Sequence, residues 1–251
     1  MAVLLSYTYI MMIGLLLGSF FNVVGLRVPK GESIISPRSH CTRCFRILGA
    51  RELVPFFSYI FLRGSCRGCG TKISPIYPIT EISTALLFAL APWLIGWSSE
   101  LFIAWSLLSL LIIICITDLR YHIIPDKVLI VFALIFIALR LTIPLEPWWN
   151  MFLGAGIGFI LLLLIAIVSK GGMGGGDIKL FAVLGLVLGW KVVLLAFFFS
   201  ALYGTFFGVI GMVLGKVRRG QPMPFGPAIA LGTMTAYLGG EAFVEWYLRL
   251  L

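Results

Sequence analysis

The sequence predicts an all-α polytopic membrane protein, and three observations carry this prediction. Hydrophobic residues make up 61% of the 251 residues and charged residues 12%, whereas a soluble domain is about 25% charged. The hydrophobic residues are gathered in long runs, several of them near the roughly 20 residues that a transmembrane helix needs. The basic residues are confined to polar stretches between these runs. We therefore expect about eight transmembrane helices, with the N-terminus outside and a small cytoplasmic insert after the first helix.

Eight apolar runs mark the expected helices. They lie near residues 3–26, 82–97, 101–117, 128–143, 148–168, 178–193, 194–215 and 225–247. We expect residues 1–26 to form the first transmembrane helix, residues 27–81 the insert, and residues 82–251 a helical core. Because no Lys or Arg precedes Arg27, the basic region of a cleavable signal peptide is missing. The sixth and seventh runs are short, since only Gly189-Trp190-Lys191 separates them.

The distribution of positive charge sets the expected orientation. With eight spans and the N-terminus outside, 16 of the 19 Lys and Arg residues fall on the inside, as the positive-inside rule requires. A seven-span alternative that merges the sixth and seventh runs reduces the split to 13 against 6. The net charge of +9 is therefore attributed to cytoplasmic loops beside anionic lipid. We expect the lipid bilayer, and no nucleic acid, as a partner.

Four of the five cysteines lie in the insert, as Cys41-Thr-Arg-Cys44 and Cys66-Arg-Gly-Cys69. Two such knuckles supply the four thiolates that a tetrahedral Zn²⁺ ion takes. An insert of 55 residues is also too small for a large core, so a metal would help to stabilise it. The alternative is two disulfides or free thiols, and a cytoplasmic location disfavours disulfides. We predict one structural zinc ion, without an open position for catalysis.

Two aspartates stand at the ends of separate apolar runs. Asp118 ends the third run, and Asp177 opens the sixth, directly after the glycine-rich residues 171–176. Both fall on the cytoplasmic side of the eight-span arrangement, so two helices could bring them together. An aspartyl protease uses a pair of carboxyl groups that share one proton. One of them takes a proton from water, and the other hydrogen-bonds the scissile carbonyl. Since glycine lacks Cβ, a substrate strand could approach the backbone beside Asp177.

Other interpretations of the two aspartates stay open at this point. Asp177 can be an ordinary helix N-cap, and Asp118 a polar group at the membrane surface. Both can also belong to the proton relay of a transporter. A relay needs acids near the middle of the bilayer, whereas these two lie at the ends of apolar runs.

The sequence also resembles one known family, the type 4 prepilin peptidases, along nearly its whole length. The resemblance consists of seven short motifs in the same order. They are Gly18-Ser-Phe-Phe-Asn-Val-Val24 with Arg27 and Pro29; the cysteine knuckles; Leu53–Ser58 with Arg63–Cys66; Ile73–Pro78 with Glu81; Asp118 with Ile124-Pro-Asp126; Gly174-Gly-Gly-Asp177 with Lys179; and Pro224-Phe-Gly-Pro227. Presenilin-like proteases share the Gly-x-Gly-Asp motif, but the early cysteine insert argues against that family.

This resemblance implies proteolysis by Asp118 and Asp177. The family cleaves the basic leader from prepilins and pseudopilins at the cytoplasmic face of the bacterial inner membrane, where it is a multi-pass protein. The matching positions Gly174, Gly176 and Lys179 would border the substrate and keep the backbone accessible.

The resemblance also implies a second activity. Many members of the family methylate the new N-terminal residue with S-adenosylmethionine. No motif for this methyl donor is readable in the sequence. The insert is the expected place for the donor, and Glu81 is the candidate residue.

Overall fold

The computed structural model is built from α-helices and describes residues 1–169, 172–215 and 223–249. The helices are α1 (Ala2–Arg27), α2 (Phe57–Phe61), α3 (Ile76–Ile95), α4 (Glu100–Tyr121), α5 (Asp126–Thr142), α6 (Asn150–Val168), α7 (Gly175–Val213) and α8 (Gly226–Leu248). Within these residues the only β pairing consists of two isolated bridges. The prediction of an all-α fold is confirmed. Each apolar run lies in a long helix, and the sixth and seventh runs share α7.

Five helices of the described residues are long and apolar enough to cross a membrane, namely α1, α3, α4, α6 and α7. Helix α5 has 17 residues, slightly below the usual length of a span. Helix α3 begins at Ile76, six residues before the apolar run that predicts it. The second transmembrane candidate therefore includes the polar residues Thr80 and Glu81, which are both buried.

The chain forms two compact units, residues 1–97 and residues 98–251. In the first unit, α1 and α3 pack as an antiparallel pair whose contacts repeat every four residues. Small side chains allow this close approach: a Cβ on Gly14 would lie 2.6 Å from the Cα of Ala85, and one on Gly18 would lie 2.7 Å from the Cα of Glu81. One turn further along, the Asn22 side chain donates to the Tyr77 carbonyl at 3.2 Å. Small residues at such a seam are typical of helix pairs in membranes.

In the second unit, α7 packs against α5, α6 and α8, and α4 packs against α5 and α8. The contact between α6 and α7 is so close that a Cβ on Gly154 or Gly185 would overlap the backbone of the other helix. Glycine is therefore required at both positions by packing.

Helix α7 is interrupted at Gly189, whose φ of 75° and ψ of 173° are not helical. Both sides of the break have partners. The Val187 carbonyl accepts from Arg140 Nε at 2.9 Å and from Nη2 at 2.7 Å, and the Trp190 N–H donates to Asn150 Oδ1 at 3.0 Å. Such capping is what the ends of two helices need. The break thus lies where the sequence separates its sixth and seventh apolar runs.

The Arg140 guanidinium also forms an ion pair with the first turn of α4. It donates to both carboxylate oxygens of Glu100, at 2.9 and 3.0 Å, and the Tyr237 hydroxyl of α8 donates to the same carboxylate at 2.9 Å. Arg140 is only 5% exposed. One buried cation therefore connects α4, α5, α7 and α8.

Candidate active site and metal centre

Asp118 lies in the last turn of α4 and is buried, with 7% of its surface exposed. Its Oδ2 accepts a hydrogen bond from the backbone N–H of Gly226 at 2.5 Å. Gly226 is the first residue of α8, so the carboxyl group faces the N-terminus of that helix. A helix N-terminus presents free N–H groups and a partial positive charge, which stabilise an anion.

Gly226 has a role that the sequence did not disclose. A Cβ at this position would lie 2.9 Å from both Cβ and Oδ2 of Asp118, closer than ordinary contact. The Pro224-Phe-Gly-Pro227 motif indicated that this segment matters, but it did not indicate the partner. His122, which is exposed after the end of α4, also interacts electrostatically with Asp118.

Asp177 lies in the first turn of α7, three residues after the N-cap Gly174. The Gly174 N–H donates to the Asp177 carboxyl group, and the Asp177 N–H donates to the Gly174 carbonyl at 3.1 Å. Asp177 is therefore not the N-cap itself but the third helical residue, which reaches back as in a capping box. The prediction that a helix begins close to Asp177 is confirmed.

The two aspartates lie close enough for the Asp118 carboxyl group to act electrostatically on Asp177. The connector after α4 helps to bring them together, because a Cβ on Gly176 would lie 2.8 Å from the Cβ of Ile124. Gly176 is thus needed for packing of the chain against itself. Gly174 is exposed, and its neighbour Gly175 has open space where a Cβ would be. Two interacting carboxyl groups can share one proton, because both cannot ionise cheaply at short range.

Lys179 forms an ion pair with Asp126 at the start of α5, at 2.7 and 2.9 Å from Nζ to the two carboxylate oxygens. Both side chains are more than half exposed, at 54% and 57%. The family resemblance places Lys179 beside the substrate. The structure joins it to Asp126 across α5 and α7, two residues after Asp177.

The four cysteines of the insert form one cluster, with all four Sγ atoms within 4.8 Å of one another. Cys41 Sγ lies 3.7 Å from Cys69 Sγ, and Cys44 Sγ lies 3.9 Å from Cys66 Sγ. With Zn–S bonds of about 2.3 Å, a tetrahedral site has sulfur atoms about 3.8 Å apart. The cysteines are free thiols, so the disulfide alternative is not what the structure contains. The donor set fits a tetrahedral metal ion.

The two knuckles are a structural repeat with an offset of 25 residues. The bridge between His40 and Ile47 is repeated between Ser65 and Lys72. Backbone hydrogen bonds repeat in the same way, and the residue after each second cysteine has a positive φ, 58° at Phe45 and 70° at Gly70. In the first knuckle, backbone N–H groups donate to carbonyls from Cys41 to Arg46, from Phe45 to Cys41 and from Leu48 to Ser39. In the second knuckle, the equivalent bonds run from Cys66 to Thr71, from Gly70 to Cys66 and from Ile73 to Gly64. Each knuckle thus presents two sulfurs in the same way.

The surroundings of Cys69 favour the thiolate form that binds metals. The Thr71 hydroxyl, 3.3 Å from Cys69 Sγ, and the Thr71 backbone N–H lower the pKa of Cys69 to about 6.

Glu81 lies in the second turn of α3 and is 7% exposed. Its Oε2 accepts from the Phe56 N–H at 2.7 Å, and the Ser19 side chain of α1 is a second hydrogen-bond partner. The candidate for the methyl-donor site is therefore a buried carboxylate within the first unit.

These features define a class of protein: a multi-pass helical membrane protein with two interacting aspartates at helix ends and a cluster of four cysteines. Two family models match the chain. The Bacterial Peptidase A24 N-terminal domain matches residues 12–95, and the Type IV leader peptidase family matches residues 105–209.

Similar proteins identify the family more closely. The chain is 47% identical to a prepilin leader peptidase/N-methyltransferase of Bacillus subtilis, over 94% of this chain and 96% of that protein. A protein of the same description from Myxococcus xanthus is 36% identical, over 90% and 70% of the two chains. One from Pseudomonas aeruginosa is 31% identical, over 95% and 92%. No solved structure gives a significant match. The chain belongs to the prepilin leader peptidase/N-methyltransferase family, which confirms the resemblance seen in the sequence.

Proposed function

We propose that this protein cleaves the basic leader from type 4 prepilins or pseudopilins and then methylates the new N-terminal residue. The observation that carries the proteolytic part is the placement of Asp118 and Asp177, which interact electrostatically at the ends of two helices of one unit. Relatives that carry both activities in their descriptions align with nearly the whole chain, which supports assigning both to it.

The chemistry follows from the two carboxyl groups. One carboxylate takes a proton from water, which attacks the scissile carbonyl, while the protonated partner hydrogen-bonds the carbonyl oxygen. The proton belongs to the pair, since the two groups titrate together. Asp118 is held by the Gly226 N–H and Asp177 by the Gly174 N–H. Both are therefore fixed before substrate binds, which is the condition for efficient catalysis.

The substrate is proposed to approach along the start of α7. A prepilin combines a basic leader with an apolar helix, and that helix can lie in the bilayer beside the helices of the enzyme. The exposed backbone at Gly174 gives access to the aspartates. Gly176 and Lys179 border the same turn, where Gly176 contacts Ile124 and Lys179 pairs with Asp126.

The proposed topology has eight crossings, with the N-terminus outside and both aspartates at the cytoplasmic face of the bacterial inner membrane. The distribution of Lys and Arg supports this topology, as does the break of α7 at Gly189. Part of the charge argument concerns Lys170, Lys216, Arg218 and Arg219, which lie outside the described residues. The position of both acids at helix ends also disfavours a proton relay near the middle of the bilayer.

The four-cysteine cluster is proposed to bind one structural zinc ion per chain. Cys41, Cys44, Cys66 and Cys69 would hold it, and the sulfur separations suit tetrahedral coordination. A zinc ion with four thiolates stabilises a small domain and leaves no position for water. The methyl donor is proposed to be S-adenosylmethionine.

A cleavage assay tests the proposed function. Asp118→Asn and Asp177→Asn would each be purified in detergent and mixed with a prepilin substrate. We expect cleavage to fall to background in both, while Glu32→Gln, which removes an exposed carboxylate of the other unit, retains it. Mass spectrometry of the product would report the cleavage site and the added methyl group together. Substantial cleavage by either of the first two variants would contradict the assignment.

A further inference from the structure

Glu81 is a buried carboxylate for which the described residues supply no basic partner. The ion pairs of those residues involve Glu32, Glu52, Glu100 and Asp126, and not Glu81. Its polar contacts are the Phe56 N–H and the Ser19 side chain. Because a buried charge is costly unless it is compensated, this carboxylate is suited to a cation that comes from outside the protein.

Asn22 supplies a second and independent observation. The residue is 2% exposed, and its amide nitrogen donates to the Tyr77 carbonyl at 3.2 Å. The buried Oδ1 has no hydrogen-bond partner among the described residues. Buried polar atoms nearly always have a partner, so an acceptor left without one indicates a donor that binds there.

Asn22 and Glu81 lie on the same seam between α1 and α3. Ser19, which contacts Glu81, precedes Asn22 by three residues on α1, and residues at this spacing are neighbours on a helix surface. On the other helix, Tyr77 precedes Glu81 by four residues. The Glu81 carboxyl group and the Asn22 amide oxygen therefore lie along the seam, about one helical turn apart.

The backbone of the insert is strained where it meets this seam. Phe56 has φ 60° and ψ −53°, and the Phe57 N–H donates to the Pro55 carbonyl at 2.6 Å, which makes a γ-turn with positive φ. A non-glycine residue adopts this conformation at a cost. The strained turn directs the Phe56 N–H to Glu81, so the insert fixes the orientation of the carboxylate.

We propose that Glu81 and Asn22 form a binding site for an organic cation of the methyl-transfer reaction. The carboxylate supplies the charge and the amide oxygen a second acceptor, which together suit an ammonium or sulfonium group. A single carboxylate and one amide are too few ligands for a metal ion. The cation has two possible sources, the sulfonium methyl donor with its ammonium group and the α-ammonium of the cleaved substrate. This inference rests on the methyl-transfer part of the proposed function.

Direct binding separates the two sources. Full-length protein in detergent would be dialysed against radiolabelled S-adenosylmethionine, and methylation of a synthetic peptide with a mature N-terminus would be followed by mass spectrometry. If the site binds the donor, Glu81→Gln weakens its affinity about ten- to hundredfold, the loss expected for a hydrogen bond to a charged group. If the site binds the acceptor, donor affinity is unchanged and KM for the peptide rises by a similar factor.

Asn22→Leu separates binding from stability. This substitution removes a buried acceptor that has no partner, and it also removes the hydrogen bond from the Asn22 amide to the Tyr77 carbonyl. The two effects on stability oppose each other, so we expect the melting temperature to change little. Cation affinity should nevertheless fall about tenfold, in whichever assay Glu81→Gln affects. A purely structural role of the cluster cannot produce a tenfold loss of affinity without a matching loss of stability.

One control variant completes the experiment. Glu32→Gln removes an exposed carboxylate of the same unit, whose nearest basic partner is 3.9 Å away. It should retain donor and peptide binding, and all three variants should still cleave a prepilin. Unchanged donor affinity and unchanged peptide KM in Glu81→Gln and Asn22→Leu would overturn the inference. Loss of cleavage in the wild-type protein would instead refute the proposed function, since the binding assay does not require cleavage.

Discussion

Gly226→Ala tests whether the approach of α8 to Asp118 is needed for proteolysis. The added Cβ would lie 2.9 Å from Cβ and from Oδ2 of Asp118. Either the carboxyl group must rotate or the start of α8 must move away by several tenths of an ångström. In both cases the hydrogen bond from the Gly226 N–H, now 2.5 Å long, is weakened or lost.

The expected size of the effect follows from that hydrogen bond. A bond to a charged group contributes about 1.5–3 kcal/mol, which corresponds to about 10- to 100-fold in rate. A displacement of a catalytic group by about 1 Å costs a similar factor. We therefore expect kcat for leader cleavage to fall about 10- to 100-fold, with KM little changed, because the interaction orients a catalytic group and does not hold the substrate.

The assay is steady-state cleavage of a prepilin by purified protein, with Gly239→Ala as the matched control. Gly239 lies in the same helix, and nothing occupies the space of its Cβ. The alanine there should keep full activity and slightly stabilise α8. If Gly226→Ala cleaves as fast as the wild type, the close contact between α8 and Asp118 has no part in catalysis.

Three further variants test other parts of the molecule. Arg140→Met leaves the half-buried carboxylate of Glu100 and the Val187 carbonyl without their cationic partner, so thermal unfolding in detergent should show a loss of about 1.5–3 kcal/mol; an unchanged midpoint of unfolding would contradict this. Gly185→Ala forces α6 and α7 apart and should lower the midpoint of thermal unfolding. Gly156→Ala should not lower it, because the position of the added Cβ is open space; equal midpoints for the two variants would contradict this. Cys41→Ser should reduce bound zinc from about one per chain in elemental analysis, whereas Cys115→Ser, outside the cluster, should not; a metal-free wild type would refute the zinc assignment.

The fold was predictable from the sequence where one property of the chain decides it. The lengths of the apolar runs located the long helices, and the interruption at Gly189 located the break of α7. The run alone placed the start of α3 too late, because residues 76–81 are helical although partly polar. Glu81 has its hydrogen-bond partners in the insert and in α1, and such tertiary contacts are not visible in local hydrophobicity.

The site was predictable in its residue types but not in its contacts. Spacing alone indicated the four cysteines, and the structure brings all four together. The relation between Asp118 and Gly226 joins residues 108 positions apart, so no local pattern could disclose it. The same holds for Gly176, which the sequence assigned to substrate access and which the structure packs against Ile124.

The ends of α4 explain how a distant contact can influence the aspartates. Glu100 stands at the first turn and Asp118 at the last, so about 27 Å of helix separates them. Arg140 fixes the Glu100 end to α5 and to the break of α7, while Gly226 contacts the Asp118 end. A tilt of α4 by about 2° would move one end by about 1 Å relative to the other, enough to cost about 100-fold in rate. We therefore expect the Arg140–Glu100 ion pair, at the opposite end of α4, to help to position Asp118. Arg140→Met should then lower the rate of leader cleavage even at temperatures where the protein remains folded.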